Sequence, residues 1–273
     1  PILITILSAG IALSLSGFII QNITENPLAD SGTIGITSGA SAGSVAFLLI
    51  ADHFNLTGLW NFSYPIFALI GALLSFVLIY FFALRKQVSS VRVLLTGIAI
   101  TAFFQALITI GQLSVNAFDF QKVAVWLSGD IWQTGSTYLF ICVLLLVIGL
   151  IILPFFLRKL EILSLGEEMA TTLGLEVQKT KIYLYLLALL FAAVGVLLVG
   201  GLAFVGLIAP HIAREIAGFK SRKSLIATAL SGMIILSFAD IISQTIIAPS
   251  SLPLGFVVAF IGAPYYIYLI QKV

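Results

Sequence analysis

The chain has 273 residues, of which 60% are hydrophobic and only 9% charged, and its mean hydropathy is +1.18. Because soluble domains are about 45–50% apolar and about 25% charged, this composition excludes a soluble globular enzyme and a disordered chain. The net charge of +2 provides no basic surface for nucleic acid, and one cysteine and two histidines supply neither a disulfide framework nor a multi-ligand metal centre.

The class that remains is an all-α, polytopic helical membrane protein. Nine apolar segments approach the roughly 20 residues that a helix needs to cross a bilayer, and lipid offers no hydrogen-bond partners, so each is predicted to be helical. No soluble linker separates them, which predicts a single transmembrane domain over residues 1–273. Gly200-Gly201 marks the break between the sixth and seventh segments, and a different break there would change the count by one. In chain order the predicted spans are 2–23, 35–51, 63–84, 92–112, 137–157, 181–200, 202–217, 225–246 and 254–270.

Basic residues cluster in alternate loops between these spans. Cytoplasmic loops of membrane proteins carry an excess of lysine and arginine, so 12 of the 13 basic residues are predicted to face the cytoplasm, with Lys122 alone outside. This orientation places the C-terminus in the cytoplasm and residue 1 outside, and we therefore expect a further span before Pro1. The cytoplasmic set is Arg85, Lys86, Arg92, Arg158, Lys159, Lys179, Lys181, Arg214, Lys220, Arg222, Lys223 and Lys272.

Residues 25–44, ENPLADSGTIGITSGASAGS, join the first two spans and open the second. Asn26-Pro27 predicts a turn, and Asp30 or Ser31 is placed to cap the helix that follows. Small residues then recur every four positions, a pattern that lets helix backbones approach closely. A tight packing face is the favoured interpretation, and a route for solute along a thin, mildly polar helix is the alternative. The small residues singled out are Gly35, Ser38, Gly39 and Gly43.

Residues 113–136 are too polar to span the membrane. Trp126 and Trp132 are typical of a membrane–water interface. The segment is predicted to form a short helix on the outer surface, where it could cap the mouth of a pathway.

The stretch 158–181 holds eight of the 24 charged residues. Its middle, LSLGEEMATTLGLEV, predicts a short helix with Ser164 as its cap, Glu167 completing a capping box and Gly174 at its end. One interpretation is a solvated surface helix, and the other is a docking helix for a soluble cytoplasmic partner. The second depends on an apolar face formed at a spacing of four by Leu165, Met169 and Leu173.

His211 and Asp240 are ionisable side chains placed away from the ends of predicted spans, where such groups are costly unless paired or hydrated. His211 follows the helix-loosening Pro210, and it could serve a proton relay, although a structural hydrogen bond is the favoured interpretation. Asp240 could pair with a serine or a helix N-terminus, or it could line a water-filled path, and a structural hydrogen bond is the favoured interpretation.

The chain contains no P-loop, no zinc-protease motif and no nucleophile elbow. Without a catalytic set, it is predicted not to be an enzyme but to transport a solute with energy from a separate partner.

Four strings carry a family resemblance: ALSLSGFIIQNITENPLADSGTIGITSGASAG, LSLGEEMATTLGLEV, GLAFVGLIAPHIAREIAG and LPLGFVVAFIGAPYYIYLI. The sequence resembles the FecCD/BtuC-like permeases, membrane subunits of ABC importers for ferric siderophores, haem and vitamin B12. The resemblance implies ten spans in a bacterial plasma membrane, a second permease subunit, an ABC ATPase dimer that binds ATP and Mg, and an external substrate-binding protein. No cofactor is expected on this chain. Ferric siderophore is the expected substrate, haem or a corrinoid the alternative, and an ion-coupled secondary carrier the rival of another class.

The resemblance also implies that Leu165–Leu175 is the coupling helix, which inserts into a groove on the ATPase. Glu167 and Glu168 would form its polar rim, and Gly166 and Gly174 its hinges. The coupling residues are Leu165, Gly166, Glu167, Glu168, Met169, Ala170, Leu173 and Gly174.

The chain departs from the family pattern on its outer face. Gln244 stands where an arginine is frequent, and Ser251 where a glutamate is frequent. Together with Lys122 these residues are expected to lie where the binding protein docks, either with fewer charges or with a related permease supplying them in a heterodimer.

Overall fold

The computed structural model of the protein describes residues 2–32, 34–53, 60–85, 90–113, 124–125, 127–129, 131, 135–218, 222–247 and 251–272. Within these ranges every regular element is helical, as the composition predicts. A π-helical turn, Tyr80–Leu84, continues the third helix. In chain order the helices are α1 Ile2–Thr24, α2 Ile36–His53, α3 Trp60–Ile79, α4 Ser90–Leu113, α5 Ser136–Ile152, α6 Pro154–Leu163, α7 Glu167–Thr172, α8 Val177–Val199, α9 Val205–Ala217, α10 Arg222–Thr245 and α11 Leu254–Lys272.

The predicted break at Gly200-Gly201 is confirmed. α8 ends at Val199, and Gly200 has a φ of +73°. Phe204 is also left-handed, with a φ of +69°, so the chain stays non-helical until Val205. The seventh predicted span, 202–217, is therefore shortened to the 13 residues of α9.

The fifth predicted span, 137–157, is wrong as a single straight helix. α5 and α6 meet at a bend of 55°. Leu153 donates its amide to the Gly149 carbonyl, but Pro154 has no N–H to continue the series and its ring crowds the preceding turn. The chain leaves the axis of α5 here and runs into the stretch that leads to α7.

Among the described residues, five helices are long and apolar enough to cross a membrane, and six if the bent pair α5–α6 is one span. α2 and α11 contain shorter apolar stretches, Ile36–Ile50 and Leu254–Leu269. The count of nine spans stays a prediction.

α1 and α8 form the centre of the bundle. In their apolar stretches 72% and 78% of the residues are buried, compared with 28% in that of α4. α1 packs against α8, α9 and α10, and α2 packs against α3. Glycines permit these helices to touch backbone to backbone. A Cβ built on Gly10 would lie 2.6 Å from the Gly232 carbonyl oxygen on α10, and one on Gly17 would lie 1.8 Å from that of Gly206 on α9.

Candidate functional site

The acidic stretch after α6 folds into one short helix, α7. The capping box predicted at the start of α7, from Ser164 to Glu167, is wrong. Gly166 occupies the cap position without a side-chain bond, while the Ser164 hydroxyl donates to the Glu161 carbonyl at 2.8 Å and ends α6 instead. Gly166 can take this role because its φ of 96° and ψ of 154° are available almost only to glycine.

The end of α7 is closed by Gly174, as the sequence predicts. Gly174 has a φ of +83°, and its amide donates to the Thr171 carbonyl at 2.9 Å. The Leu175 amide donates to the Ala170 carbonyl at 3.0 Å. This pair of bonds is a Schellman motif, which satisfies carbonyls that the last helical turn leaves free.

One side of α7 is anchored and the other is open. Ala170 is fully buried against the neighbouring helices, and Glu167 is held by Lys181 of α8 at 2.5 Å. Glu168 is exposed. The apolar stripe predicted for this helix faces outward, with 48%, 54% and 58% of the surface exposed in Leu165, Met169 and Leu173 respectively. The chain thus presents an ordered apolar patch of three large side chains, which we call the α7 patch.

Replacement of Gly166 by alanine is expected to loosen α7. No atom lies within 4 Å of the added Cβ, so the effect is backbone strain alone, of about 1–3 kcal/mol. Because the Ala170 amide donates to the Gly166 carbonyl at 2.9 Å, its hydrogen exchange should accelerate by about tenfold. Thr171→Ala, which removes an exposed hydroxyl from the same helix, is the control. Unchanged exchange in Gly166→Ala would contradict the assigned backbone conformation.

A second polar group joins the loop before α2 to α1 and α9. Asp30 is buried, and the Ser31 amide donates to its Oδ1 at 2.6 Å. The same Oδ1 lies only 2.3 Å from where a Cβ on Gly206 would stand, so the carboxyl group occupies the start of α9. Gln21 of α1 donates to the Gly206 and Leu207 carbonyls at 3.3 Å each, and Arg214 donates to Gln21.

This polar group, which the sequence did not reveal, consists of Gln21, Asp30, Gly206 and Arg214. The expectation that Asp30 caps the helix after it is not met, since its carboxyl lies at α9. The Ser31 carbonyl accepts the amides of Ile36 and Thr37 at 3.1 and 3.4 Å and leads into α2. Gln21, a polar residue in the last turn of the first predicted span, was an available signal.

The stability of the protein is expected to fall as the pH rises through the titration of Asp30. Burial raises the pKa of Asp30 to about 6, against the counteracting hydrogen bonds from Ser31. Well below its ordinary pKa of 3.8, the carboxyl is neutral in both the folded and the unfolded chain. Above pH 6 the folded state must hold a charge that the unfolded state carries more easily, a difference of about 3 kcal/mol.

Asp30→Asn does not titrate and serves as the reference. Between pH 4 and pH 7, the melting temperature of the parent protein should fall relative to that of this variant. A difference that is constant with pH would contradict a raised pKa.

The small-residue positions of α2 lie at its contact with α3. A Cβ on Gly39 would stand 2.6 Å from the Gly71 carbonyl oxygen, and one on Gly43 would stand 2.1 Å from that of Phe67. Gly35 has a φ of +87°, and its carbonyl accepts hydroxyl bonds from Ser38 at 3.1 Å and from Ser75 at 2.7 Å. This geometry favours the packing interpretation, and a solute route along these residues stays a prediction.

The remaining predicted site residues are dispersed. His211 Nδ1 lies 2.7 Å from the Tyr265 hydroxyl of α11. On α10, Gln244 donates to Asp240 Oδ2 at 2.8 Å, so Asp240 has a hydrogen-bond role, but its partner is a glutamine one turn later and not the predicted serine or helix N-terminus.

Gln244 and Ser251 are both exposed. They lie at the same end of the bundle, where the last turn of α10 meets the start of α11. There the Ser243 hydroxyl donates to the Leu252 carbonyl at 2.5 Å, and the Leu252 amide donates to the Ser243 carbonyl at 3.1 Å. Lys122, and most of the predicted surface segment 113–136, lie outside the described residues. In the part of the chain that the structure describes, no group of three potential metal ligands gathers.

The chain is similar to known transport proteins along its whole length. The FecCD transport family model matches residues 1–272. The iron(3+)-hydroxamate import system permease protein FhuG of Bacillus subtilis is 38% identical over all of this chain and 82% of its own length. The Fe(3+) dicitrate transport system permease protein FecD of Escherichia coli is 33% identical, over all of this chain and 83% of its own.

A solved structure supports the same fold. One chain of an ABC transporter assigned to the metal-chelate type, in an inward-facing conformation, superposes with a TM-score of 0.88 and 25% identity. The match covers all of this chain and 87% of that one.

Proposed function

The chain belongs to the FecCD transport family, and we propose that it is the permease subunit of an ABC importer that moves an iron(III)–siderophore complex into the cell. It is a multi-pass membrane protein, as the family and its apolar helices indicate. The observation that carries the substrate proposal is that relatives aligned over the whole chain are permease proteins of systems for two chemically different ferric chelates, an iron(3+)-hydroxamate import system and an Fe(3+) dicitrate transport system. Haem and corrinoids stay the alternative cargo.

ATP hydrolysis in this proposal takes place on a separate subunit. The permease relatives are components of import systems, and the sequence holds no phosphate-binding loop. ATP and Mg would therefore bind to a partner ATPase dimer. The α7 patch supports this arrangement, because Met169 of the helix and the leucines at its two ends are exposed apolar side chains that a groove on a soluble partner can bury.

The α7 helix would transmit the movement of the ATPase to the spans. Ala170 is buried and Glu167 is paired with Lys181, so a displacement of α7 is passed to α8, which lies in the centre of the bundle. ATP binding would then shift the population between outward-open and inward-open states. In this proposal α7 and the C-terminus face the cytoplasm, as the distribution of lysine and arginine predicts, and the chain crosses the membrane nine times.

The opposite end of the bundle would receive the external binding protein. Gln244 and Ser251 are exposed there, and the Gln244 amide is bonded to Asp240. Docking at this surface would be less charged than in relatives with arginine and glutamate at these positions. A second permease subunit completes the assembly, and a related chain that supplies the charges would make it a heterodimer. Recovery of a single permease species in the purified transporter would exclude the heterodimer.

Uptake by the reconstituted transporter tests the proposal. The protein is purified with its ATPase and permease partner, placed in vesicles and supplied with the binding protein. Labelled ferric hydroxamate, ferric dicitrate, haem and cobalamin are compared with and without ATP. We expect ATP-dependent accumulation of a ferric siderophore. Preference for haem or cobalamin would overturn the substrate, and uptake by this chain alone under a proton gradient would overturn the ABC importer.

A further inference from the structure

The bend between α5 and α6 joins an apolar surface to two basic side chains. Along α5, exposed apolar residues follow one another at spacings of three and four, so they share a face of the helix. The same spacing continues over the bend to Phe155, which is 76% exposed. Phe155 therefore extends the outward surface of a membrane-crossing helix. The exposed apolar series is Phe140, Leu144, Ile148, Ile151 and Phe155.

The basic residues Arg158 and Lys159 lie next to this surface, three and four positions after Phe155 on α6. Within the described residues neither has a carboxylate within 4 Å, including Glu161 on the same helix. The other two lysines of the stretch 158–181 are paired instead, Lys179 with Glu176 and Lys181 with Glu167.

Aromatic rings hold Lys159 in place. Its Nζ lies 5.0 Å from the centre of the Phe156 ring, a cation–π geometry. The Phe156 ring in turn lies 6.3 Å from that of Tyr183 on α8, which is 55% exposed. On the inner side of α6, Leu160 and Leu163 are buried against the bundle, so the helix is fixed and its outer side is open.

We propose that Phe155, Arg158, Lys159 and Tyr183 form a binding site for an anionic phospholipid. An acyl chain would lie along the α5 series, and the phosphate would be held by the guanidinium and ammonium groups. Aromatic side chains prefer the depth of the headgroups, and each basic residue near an anionic membrane surface adds about 1 kcal/mol. Two cations that have no carboxylate partner among the described residues, close to an exposed phenylalanine, suit a negative headgroup better than a zwitterionic one.

This site and the α7 patch would bind different partners, a lipid here and a soluble protein at the α7 patch. Leu165, Met169 and Leu173 lie beyond the end of α6, Met169 on the separate short helix α7 and the two leucines at its ends. Phe155 instead continues the surface of α5, whose length and hydropathy together with α6 are those of a membrane span. Lipid is therefore the occupant that the geometry favours, and an apolar surface of a partner protein is an outcome of the test. The inference rests on the membrane location of the chain, whatever solute it carries.

Quenching of a tryptophan at position 155 measures the lipid next to it. The full-length protein carrying Phe155→Trp is placed in nanodiscs of phosphatidylcholine that contain either brominated phosphatidylglycerol or brominated phosphatidylcholine at the same fraction. The signal of the parent protein is subtracted to remove the three native tryptophans. We expect phosphatidylglycerol to associate at least about fivefold more strongly than phosphatidylcholine.

The charges are then removed in the same background. The double variant Arg158→Gln, Lys159→Gln should abolish the preference, so that phosphatidylglycerol and phosphatidylcholine associate about equally. Lys179→Gln with Arg222→Gln removes the same net charge from two other exposed residues and should leave the preference intact. Equal quenching by the two lipids in Phe155→Trp itself, which needs no charge variant to fold, would overturn the proposal. Absence of quenching by either lipid would also overturn it, because protein would then cover the surface.

Discussion

Simultaneous replacement of Leu165, Met169 and Leu173 by serine is expected to reduce ATP-driven uptake by at least about tenfold. Each of these side chains is about half exposed, and complete burial of such a side chain contributes about 1.5–3 kcal/mol. Loss of three therefore exceeds the 1.4 kcal/mol that corresponds to a tenfold change in an equilibrium constant. The variant should still reach the membrane and fold, since none of the three belongs to the buried core.

Two measurements identify the cause of that loss. ATP hydrolysis and solute uptake are assayed in the same vesicles, and the amount of ATPase that co-purifies with the permease is determined. We expect weaker co-purification or ATP hydrolysis without uptake. Thr171→Ala with Thr172→Ala is the matched control, because it removes exposed side chains from the same helix that bond only to carbonyls of that helix. Full uptake in the serine variant would exclude a docking role for the α7 patch.

Gly17→Ala is expected to prevent stable folding. The added methyl group would lie 1.8 Å from the Gly206 carbonyl oxygen and 2.6 Å from the Gly206 Cα. Both are backbone atoms, so no side-chain rotation relieves the clash, and α1 and α9 must separate. The bonds from Gln21 to the Gly206 and Leu207 carbonyls would then be lost. The combined cost should exceed about 3 kcal/mol, a large fraction of the stability of a typical domain.

Gly111→Ala is the matched control on α4. Its Cβ would meet Leu49 Cδ1 at 3.1 Å, the end of a flexible side chain, so the expected cost is below about 1 kcal/mol. Both variants are expressed and solubilised alongside the parent, and their monodisperse fraction and melting temperature are compared. We expect Gly17→Ala to be lost from the monodisperse fraction and Gly111→Ala to resemble the parent. A normal melting temperature for Gly17→Ala would contradict the close approach of α1 and α9.

Features that depend on neighbouring residues were predictable from the sequence. The helices around the apolar segments, the break at Gly200 and the end of α7 at Gly174 follow from hydropathy and from the backbone preferences of glycine. The bend at Pro154 was missed because the apolar segment continues through it, and hydropathy does not register a missing amide. The capping box at Ser164 failed because a nearer glycine can adopt a cap conformation that serine cannot.

Composition and the distribution of charge determine, without coordinates, that this is a helical membrane protein, and the motif strings determine its family. The exposed stripe of α7 also follows from its spacing. Only the tertiary structure decided that Asp30 lies at the start of α9 rather than on its own helix, that Gln21 and Arg214 meet, and that the Phe156 ring lies beside that of Tyr183. Local patterns report the preferences of a segment for water or lipid, whereas these contacts join residues far apart in the chain and depend on how closely the helices pack.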